Sequence, residues 1–198
     1  MNRPSLVKPV TRLAFNTDFG LLYERIERLG ALPEGTAVLD VPCGGGVALR
    51  GLRPGQRLRY VAADIAPAML SRARRTAEAA GVSDQVETHE ADVTALPFAD
   101  AEFDVCLSYT GLHCFPDPTT ALMELARVTR PGGTLSLSWV HTDGRAVHRA
   151  ALTMGRRMGL SGPSASTSQV RTVLTDLGFT DPHLTPSGAF TYLTATRR

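Results

Sequence analysis

The chain has 198 residues, 43% of them hydrophobic and 20% charged, which is enough to build one domain around a real core without disulfide or metal staples. Its 21 basic residues nearly cancel its 19 acidic ones, which excludes overall disorder and makes nucleic acid or a membrane surface an unlikely main partner. Three cysteines, Cys43, Cys106 and Cys114, with no C-x-x-C pair, argue against a disulfide framework or a zinc site. No apolar run approaches the ~18 residues that cross a bilayer. Residues 1–15 lack the apolar stretch of a secretory signal, so a soluble, cytoplasmic protein is expected.

In chain order, Phe19 to Leu29 carries Leu22, Ile26 and Leu29 on one face and predicts a helix. Ala37 to Val41 reads as a buried strand, followed by a glycine turn at Gly44-Gly45-Gly46 and a helix whose N-terminus offers unpaired N–H groups. Arg59 to Ala63 predicts a second strand. Pro67 to Ala80 predicts a helix opened by proline and stopped at Gly81. Phe103 to Ser108 predicts another strand, and Thr119 to Val128 a helix through Leu122, Leu125 and Val128. Arg130-Pro131-Gly132-Gly133 should precede the strand Thr134 to Val140.

Beyond this point the pattern changes. Arg145 to Met158 is a one-faced helix, Ser161 to Ser168 a loop, and Ser168 to Leu177 a helix closed by Gly178. Two strands flank Pro186-Ser187-Gly188. The last of them, Phe190 to Thr196, should be antiparallel, because so short a turn cannot make a parallel crossover. Repeated strand–helix–strand units predict an α/β domain with a parallel sheet. Nothing marks a second domain within residues 1–198; residues 1–36 form an N-terminal helical segment and 141–168 a segment on the substrate side.

Chemistry-bearing residues fall at strand ends. Asp40 closes the first strand ahead of Val41-Pro42-Cys43-Gly44-Gly45-Gly46. Glycines there let a backbone approach a ligand closely. Asp64 closes the second strand, where an acid can accept two ribose hydroxyls. Asp92-Val93 follows the third strand, and Ser108-Tyr109 ends the fourth.

This ordered set resembles the class I S-adenosylmethionine-dependent methyltransferases of small-molecule type. The resemblance implies a Rossmann-like, doubly wound, seven-stranded sheet, mostly parallel with an antiparallel C-terminal strand. It also implies S-adenosyl-L-methionine as cofactor and methyl transfer to a small-molecule acceptor. Asp40, Val41 and the turn holding Cys43, Gly44 and Gly46 would lie against the methionine portion. Asp64 would bind the ribose, with Ile65 and Met69 packed on the adenine. Asp92 would accept from the adenine amino group, with Val93 covering the ring. Ser108 and Tyr109 would line the mouth near the reactive methyl. The sequence departs from the family turn at Pro42, which stands where a glycine is usual, so the turn survives only if that position does not need a positive φ. Ser108-Tyr109-Thr110-Gly111 also lacks the acid or amide and the two prolines of enzymes that methylate exocyclic amines of nucleobases.

His113, in the loop after the fourth strand, and His141, just past the fifth, are the candidate catalytic bases for a hydroxyl acceptor. Each has a plainer reading as a hydrogen-bonded loop histidine, as Asp40 and Asp64 have as strand-end caps. Met154 and Met158 are expected on the apolar face of their helix, as core or as a roof over substrate. Arg50, Arg53, Arg57, Arg59, Arg72, Arg74 and Arg75 read as a solvated face. No metal ligand set is expected. Two rivals stay open: a cofactor-binding protein without catalysis, and a nicotinamide-dependent oxidoreductase, which would share Asp64 but whose G-x-G-x-x-G spacing the turn does not supply.

Overall fold

In the computed structural model, which describes residues 17, 19–144, 146–159 and 161–198, the apolar runs form one seven-stranded sheet. Its strands are β1 (Ala37–Asp40), β2 (Arg59–Asp64), β3 (Val86–Glu90), β4 (Phe103–Tyr109), β5 (Thr129–Val140), β6 (Phe179–Ser187) and β7 (Phe190–Arg197). They lie in the order β3-β2-β1-β4-β5-β7-β6. β1 to β5 pair in parallel, and β7 runs antiparallel between β5 and β6, with Leu135 opposite Ala195 and Ser138 opposite Tyr192. The expected antiparallel strand is therefore in the sheet, held there by a turn of two residues that contains Gly188 at φ 59°. Strand order reverses between β1 and β4, which opens a crevice at their carboxyl ends.

The helices are α1 (Gly20–Glu27), α2 (Pro67–Ala80), α3 (Pro118–Val128), α4 (Ala146–Arg157) and α5 (Thr167–Asp176). On one face of the sheet Val38, Tyr60 and Leu107 pack with Leu22 and Ile26 of α1 and Leu70 of α2. On the other, Leu39, Cys106 and Leu137 pack with Leu122 and Leu125 of α3 and Leu174 of α5. Successive strand residues feed opposite cores, which is why the strands read as unbroken apolar runs rather than alternating ones. Leu122 and Leu125 are fully buried, so truncating either to Ala should cost ~2–5 kcal/mol.

Local chemistry sets the helix ends. α2 begins at Pro67 and ends at Gly81 in the left-handed region. The Asp117 carboxylate accepts the N–H groups of Thr119 and Thr120 at the start of α3. Ser166 and Gln169 form a reciprocal capping box on α5, one residue earlier than the expected start.

Several expectations need correction. The helix expected after the glycine turn is not formed: Ala48–Gly51 is one 3-10 turn. Gly51, Pro54 and Gly55 stop it, and α1 packs backbone to backbone on this spot. A Cβ at Gly51 would stand 1.9 Å from the Ile26 carbonyl oxygen, and one at Gly30 would stand 2.8 Å from the Gly51 oxygen. The fifth strand starts at Thr129, because Thr129 already pairs with Phe103 and residues 130–133 form an irregularity before Thr134 pairs with Val105. Met154 and Met158 are 55% and 63% exposed and so are not core, whereas Leu152 of α4 is buried. Arg145, the expected first residue of that helix, and residues 1–16 and 18 of the N-terminal segment lie outside the described residues.

Candidate functional site

The crevice is built on the turn after β1. Gly44 and Gly46 take φ values of 52° and 77°, while Pro42 is not at a positive φ, so the proline sits where its ring is tolerated. The Gly44 N–H donates to one carboxylate oxygen of Asp64 and the Ala66 N–H to the other, both at 2.9 Å. The Cys43 N–H donates to the Ala63 carbonyl at 2.8 Å, and the Thr76 hydroxyl of α2 donates to the Gly45 carbonyl at 2.8 Å. Asp64 thus clasps the glycine turn to the end of β2. Beside it Ile65 is 66% exposed, an apolar side chain standing free at the carboxyl edge, and Met69 is half-buried on the first turn of α2. A Cβ at Gly44 would enter open space, whereas at Gly46 it would strike Leu49 and Ala73.

Asp40 lies beneath this turn, 2% exposed, accepting the Tyr60 hydroxyl at 2.8 Å. Burial pushes its carboxyl up to about 7, the Asp64 charge adds to the rise, and the Tyr60 hydrogen bond opposes it. Val41 and Cys43 are buried as well, and burial drives the Cys43 thiol well above its ordinary value. Asp92 stands apart on the surface after β3. There the Thr94 N–H and hydroxyl bind it at 2.8 Å each and hold its pKa below the usual carboxylate value, while Val93 is buried beside it.

At the end of β4 the side chains diverge. The Ser108 hydroxyl is buried and has no hydrogen-bond partner among the described residues, whereas the Tyr109 hydroxyl pairs with Ser136 at 3.1 Å on the opposite face. Thr110 then takes φ 56°, a costly conformation for a β-branched residue. It is fixed by its N–H to the Ser138 hydroxyl at 3.0 Å. Gly111 is required sterically: a Cβ there would lie 2.4 Å from Pro42 Cδ and 2.5 Å from Ser108 Oγ.

The two histidines are held by different hydrogen bonds. The Val140 N–H donates to His113 Nδ1 at 3.3 Å, so in the neutral ring the proton is on Nε2. Burial pulls the His113 pKa down to about 4. His141, 8% exposed, points Nε2 at the Gly188 carbonyl at 3.3 Å, which fixes its proton on that nitrogen. Its Nδ1 is left buried without a hydrogen-bond partner among the described residues, 3.9 Å from an Asp143 carboxylate oxygen. The β6–β7 hairpin backs both rings, since Phe190 stacks edge-on against His113 with centroids 6.0 Å apart. Loop 161–166 ties in from the other side: the Gly162 N–H donates to the His113 carbonyl at 2.8 Å and Trp139 Nε1 to the Ala165 carbonyl at 3.1 Å.

Cys43, Gly44, Gly46 and Asp64 therefore come together through hydrogen bonds between the glycine turn and the end of β2, with Asp40 held separately by Tyr60. His113 and His141 are each fixed near the carboxyl end of β5 by their own bonds. Asp92 belongs to neither group. Sequence reasoning missed Tyr60, Thr110 as a conformational outlier and the Pro42–Gly111 contact; of these only the unusual Pro42 left a signal. Within the arginine run Arg57 pairs with Glu34 at 3.0 Å, Arg59 with Glu102 at 2.7 Å, and Arg74 donates to Thr88 at 2.9 Å. No described helix is long and apolar enough to cross a membrane.

Residues 39–137 match a family model described as a methyltransferase domain. The demethylmenaquinone methyltransferase of Thermus thermophilus is 45% identical over 101 residues, covering 50% of this chain and 44% of that protein. The 27-O-demethylrifamycin SV methyltransferase of Amycolatopsis mediterranei is 34% identical over 116 residues, covering 59% and 43%. The chain spans well under half the length of these curated relatives. A SAM-dependent methyltransferase from Aquifex aeolicus, of known crystal structure, shares the fold over 100% of both chains, with a TM-score of 0.66 at 21% identity.

Proposed function

Because the chain belongs to the methyltransferase domain family, whose members use S-adenosylmethionine as methyl donor, we propose that it catalyses in-line methyl transfer to a small-molecule acceptor. The observation that carries this reading is the clasp of Asp64 on the Gly44 and Ala66 N–H groups. It orients an acid at the switch point of the sheet while each oxygen keeps acceptor capacity for a ribose hydroxyl. The exposed Ile65 beside it suits the adenine face, the open Cα of Gly44 suits close approach of the methionine portion, and Val93 and Asp92 suit the far side of the ring. When bound, the cofactor supplies a methyl activated on sulfonium. The protein's share is then to hold a nucleophile in line, and alignment of this kind is worth ~7–11 kcal/mol.

For a hydroxyl acceptor the two histidines take different roles. His141, anchored through Nε2 and with a free lone pair on Nδ1, has the tautomer of a general base. His113 is kept neutral by burial with Nδ1 already engaged, so its Nε2–H is a donor that orients the acceptor oxygen. The acceptor side is formed by loop 112–118 and segment 141–168. Pro163 to Ala165 of that segment also wall a cavity of about 510 Å³ between α3 and α5, which neither histidine lines. The relatives named for demethylmenaquinone and 27-O-demethylrifamycin SV support a small organic acceptor.

The test is release of S-adenosylhomocysteine across a panel of hydroxyl, amine, thiol and carbon acceptors, with calorimetry of S-adenosylmethionine and NADH alongside. Turnover with one acceptor class is expected. Cofactor binding with no turnover on any member would mark a non-catalytic binder, and binding of NADH alone would mark an oxidoreductase.

A further inference from the structure

A second cavity, of about 210 Å³, lies between α1 and the body of the sheet. Its floor runs along β4 from Val105 to Tyr109 and takes in Thr134 and Ser136 of β5 and Thr194 of β7. Strand alternation gives that floor its chemistry. β5 turns Leu135 and Leu137 to the apolar core and turns Thr134 and Ser136 to this face, where Ser136 stands beside Leu107 of β4 and Thr194 of β7. Arg25 of α1 and Arg28, three residues on at the helix's C-cap, form the wall above it.

Arg25 is half-buried, yet among the described residues neither it nor Arg28 has a carboxylate within ion-pair distance. The contrast is Arg127, which is answered by both Glu124 and Asp100 at 2.8 Å. Arg25 instead donates to the Thr194 hydroxyl and lies 5.7 Å from the centre of the Tyr192 ring. Burial lowers its pKa, as expected of a cation half removed from water. The Tyr109 and Ser136 hydroxyls bond each other at 3.1 Å, and because only one O–H is used between them, the other can donate outward. Two guanidinium groups and spare hydroxyl donors thus line one cavity. Leu29, Leu32, Val105 and Leu107 supply the apolar part of the same lining.

We propose that this cavity binds a small organic carboxylate, its oxygens held by Arg25, Arg28 and the Ser136 and Thr194 hydroxyls, its apolar part against Leu29 and Leu107. The guanidinium fork matches a carboxylate's two oxygens. The leucine and valine side chains of the lining would be left bare by an inorganic anion, so the mixed polar and apolar lining selects an anion with a hydrocarbon part. The inference is independent of the methyl-transfer reading.

The experiment is calorimetric titration of the full chain with benzoate, with benzyl alcohol as its neutral counterpart and with inorganic phosphate, repeated at saturating S-adenosylmethionine. Benzoate is expected to bind, more tightly than either comparison ligand, and to bind equally with and without the cofactor. Arg28→Gln should weaken benzoate about tenfold or more, as loss of one charge-assisted pair does, and Arg25→Gln should weaken it further. Arg28 is exposed, so its variant keeps the test readable if Arg25→Gln does not fold. Equal affinity for benzyl alcohol, unchanged benzoate binding in Arg28→Gln, preference for phosphate, or competition by S-adenosylmethionine would each overturn the proposal.

Discussion

Asp40→Asn should stabilise the protein above pH 7 and should tilt a pH dependence that the wild type keeps nearly level. Burial raises the Asp40 carboxyl from its ordinary 3.8 to about 7, with Asp64 adding to the rise and Tyr60 opposing it. Between those values the folded state holds a proton that the unfolded chain has released. Stability therefore falls as pH rises through the window, by about 1.4 kcal/mol per pH unit. By pH 7 the loss reaches about 4 kcal/mol, an order-of-magnitude figure, and it persists above. His113 acts in the opposite sense. Burial lowers it from 6.5 to about 4, so between those values the unfolded chain is the one that binds the extra proton, and stability rises with pH at the same slope. Across their shared window the two slopes cancel. Asparagine removes the acid while its amide oxygen still accepts the Tyr60 hydroxyl, so the variant should gain stability with rising pH where the parent stays flat. His113→Gln should tilt the other way. Urea unfolding at closely spaced pH values between about 4 and 8 reads both slopes. An Asp40→Asn curve parallel to that of the parent would refute the reasoning.

Asp64→Asn sets an amide N–H against the Gly44 or Ala66 N–H and removes the charge. It should weaken S-adenosylmethionine and S-adenosylhomocysteine alike by about 10- to 100-fold, with kcat at saturating cofactor unchanged. Parental calorimetric affinities for both would remove Asp64 from the ribose. With a hydroxyl acceptor, His141→Gln should lower kcat by ~10²–10⁴ without changing cofactor affinity, and His113→Gln should act mainly on acceptor KM. Steady-state kinetics showing the reverse assignment would sink both roles. Gly111→Ala, whose Cβ meets Pro42 Cδ at 2.4 Å, should lose ~1–3 kcal/mol of stability. Adding Pro42→Gly should recover only part of that in thermal unfolding, because Ser108 and Phe115 still crowd the site. An unaltered melting temperature in the single variant would count against the contact.

What was legible in the sequence is what strand burial and chain length dictate. β1, β2 and β4 read directly because both their faces are apolar, and β7 was placed antiparallel because two residues cannot carry a crossover. Asp64 and Gly44 were legible as separate strand-end signals, though not as partners. The rest depends on contacts between distant segments. Nothing local to His141 indicates that Gly188 fixes its proton, and nothing near Asp40 indicates the Tyr60 hydroxyl. The missing helix after Gly46 had a local cue in Gly51 and Pro54, but its cause, the Ile26 carbonyl, comes from another element. The capping pair Ser166 and Gln169 was visible in the sequence and places the α5 start better than hydrophobic spacing did.

The hairpin behind the two histidines imposes an order in time. When a growing chain has been made as far as Val140, the glycine turn, Asp64 and its two backbone donors already exist. The Gly188 carbonyl and the Phe190 ring, which set the rings of His141 and His113, are still untranslated. On the proposed roles, cofactor grip is thus encoded early and acceptor chemistry late. On the same roles, exchanging the last two strands would alter the acceptor side and leave the cofactor end of the sheet untouched.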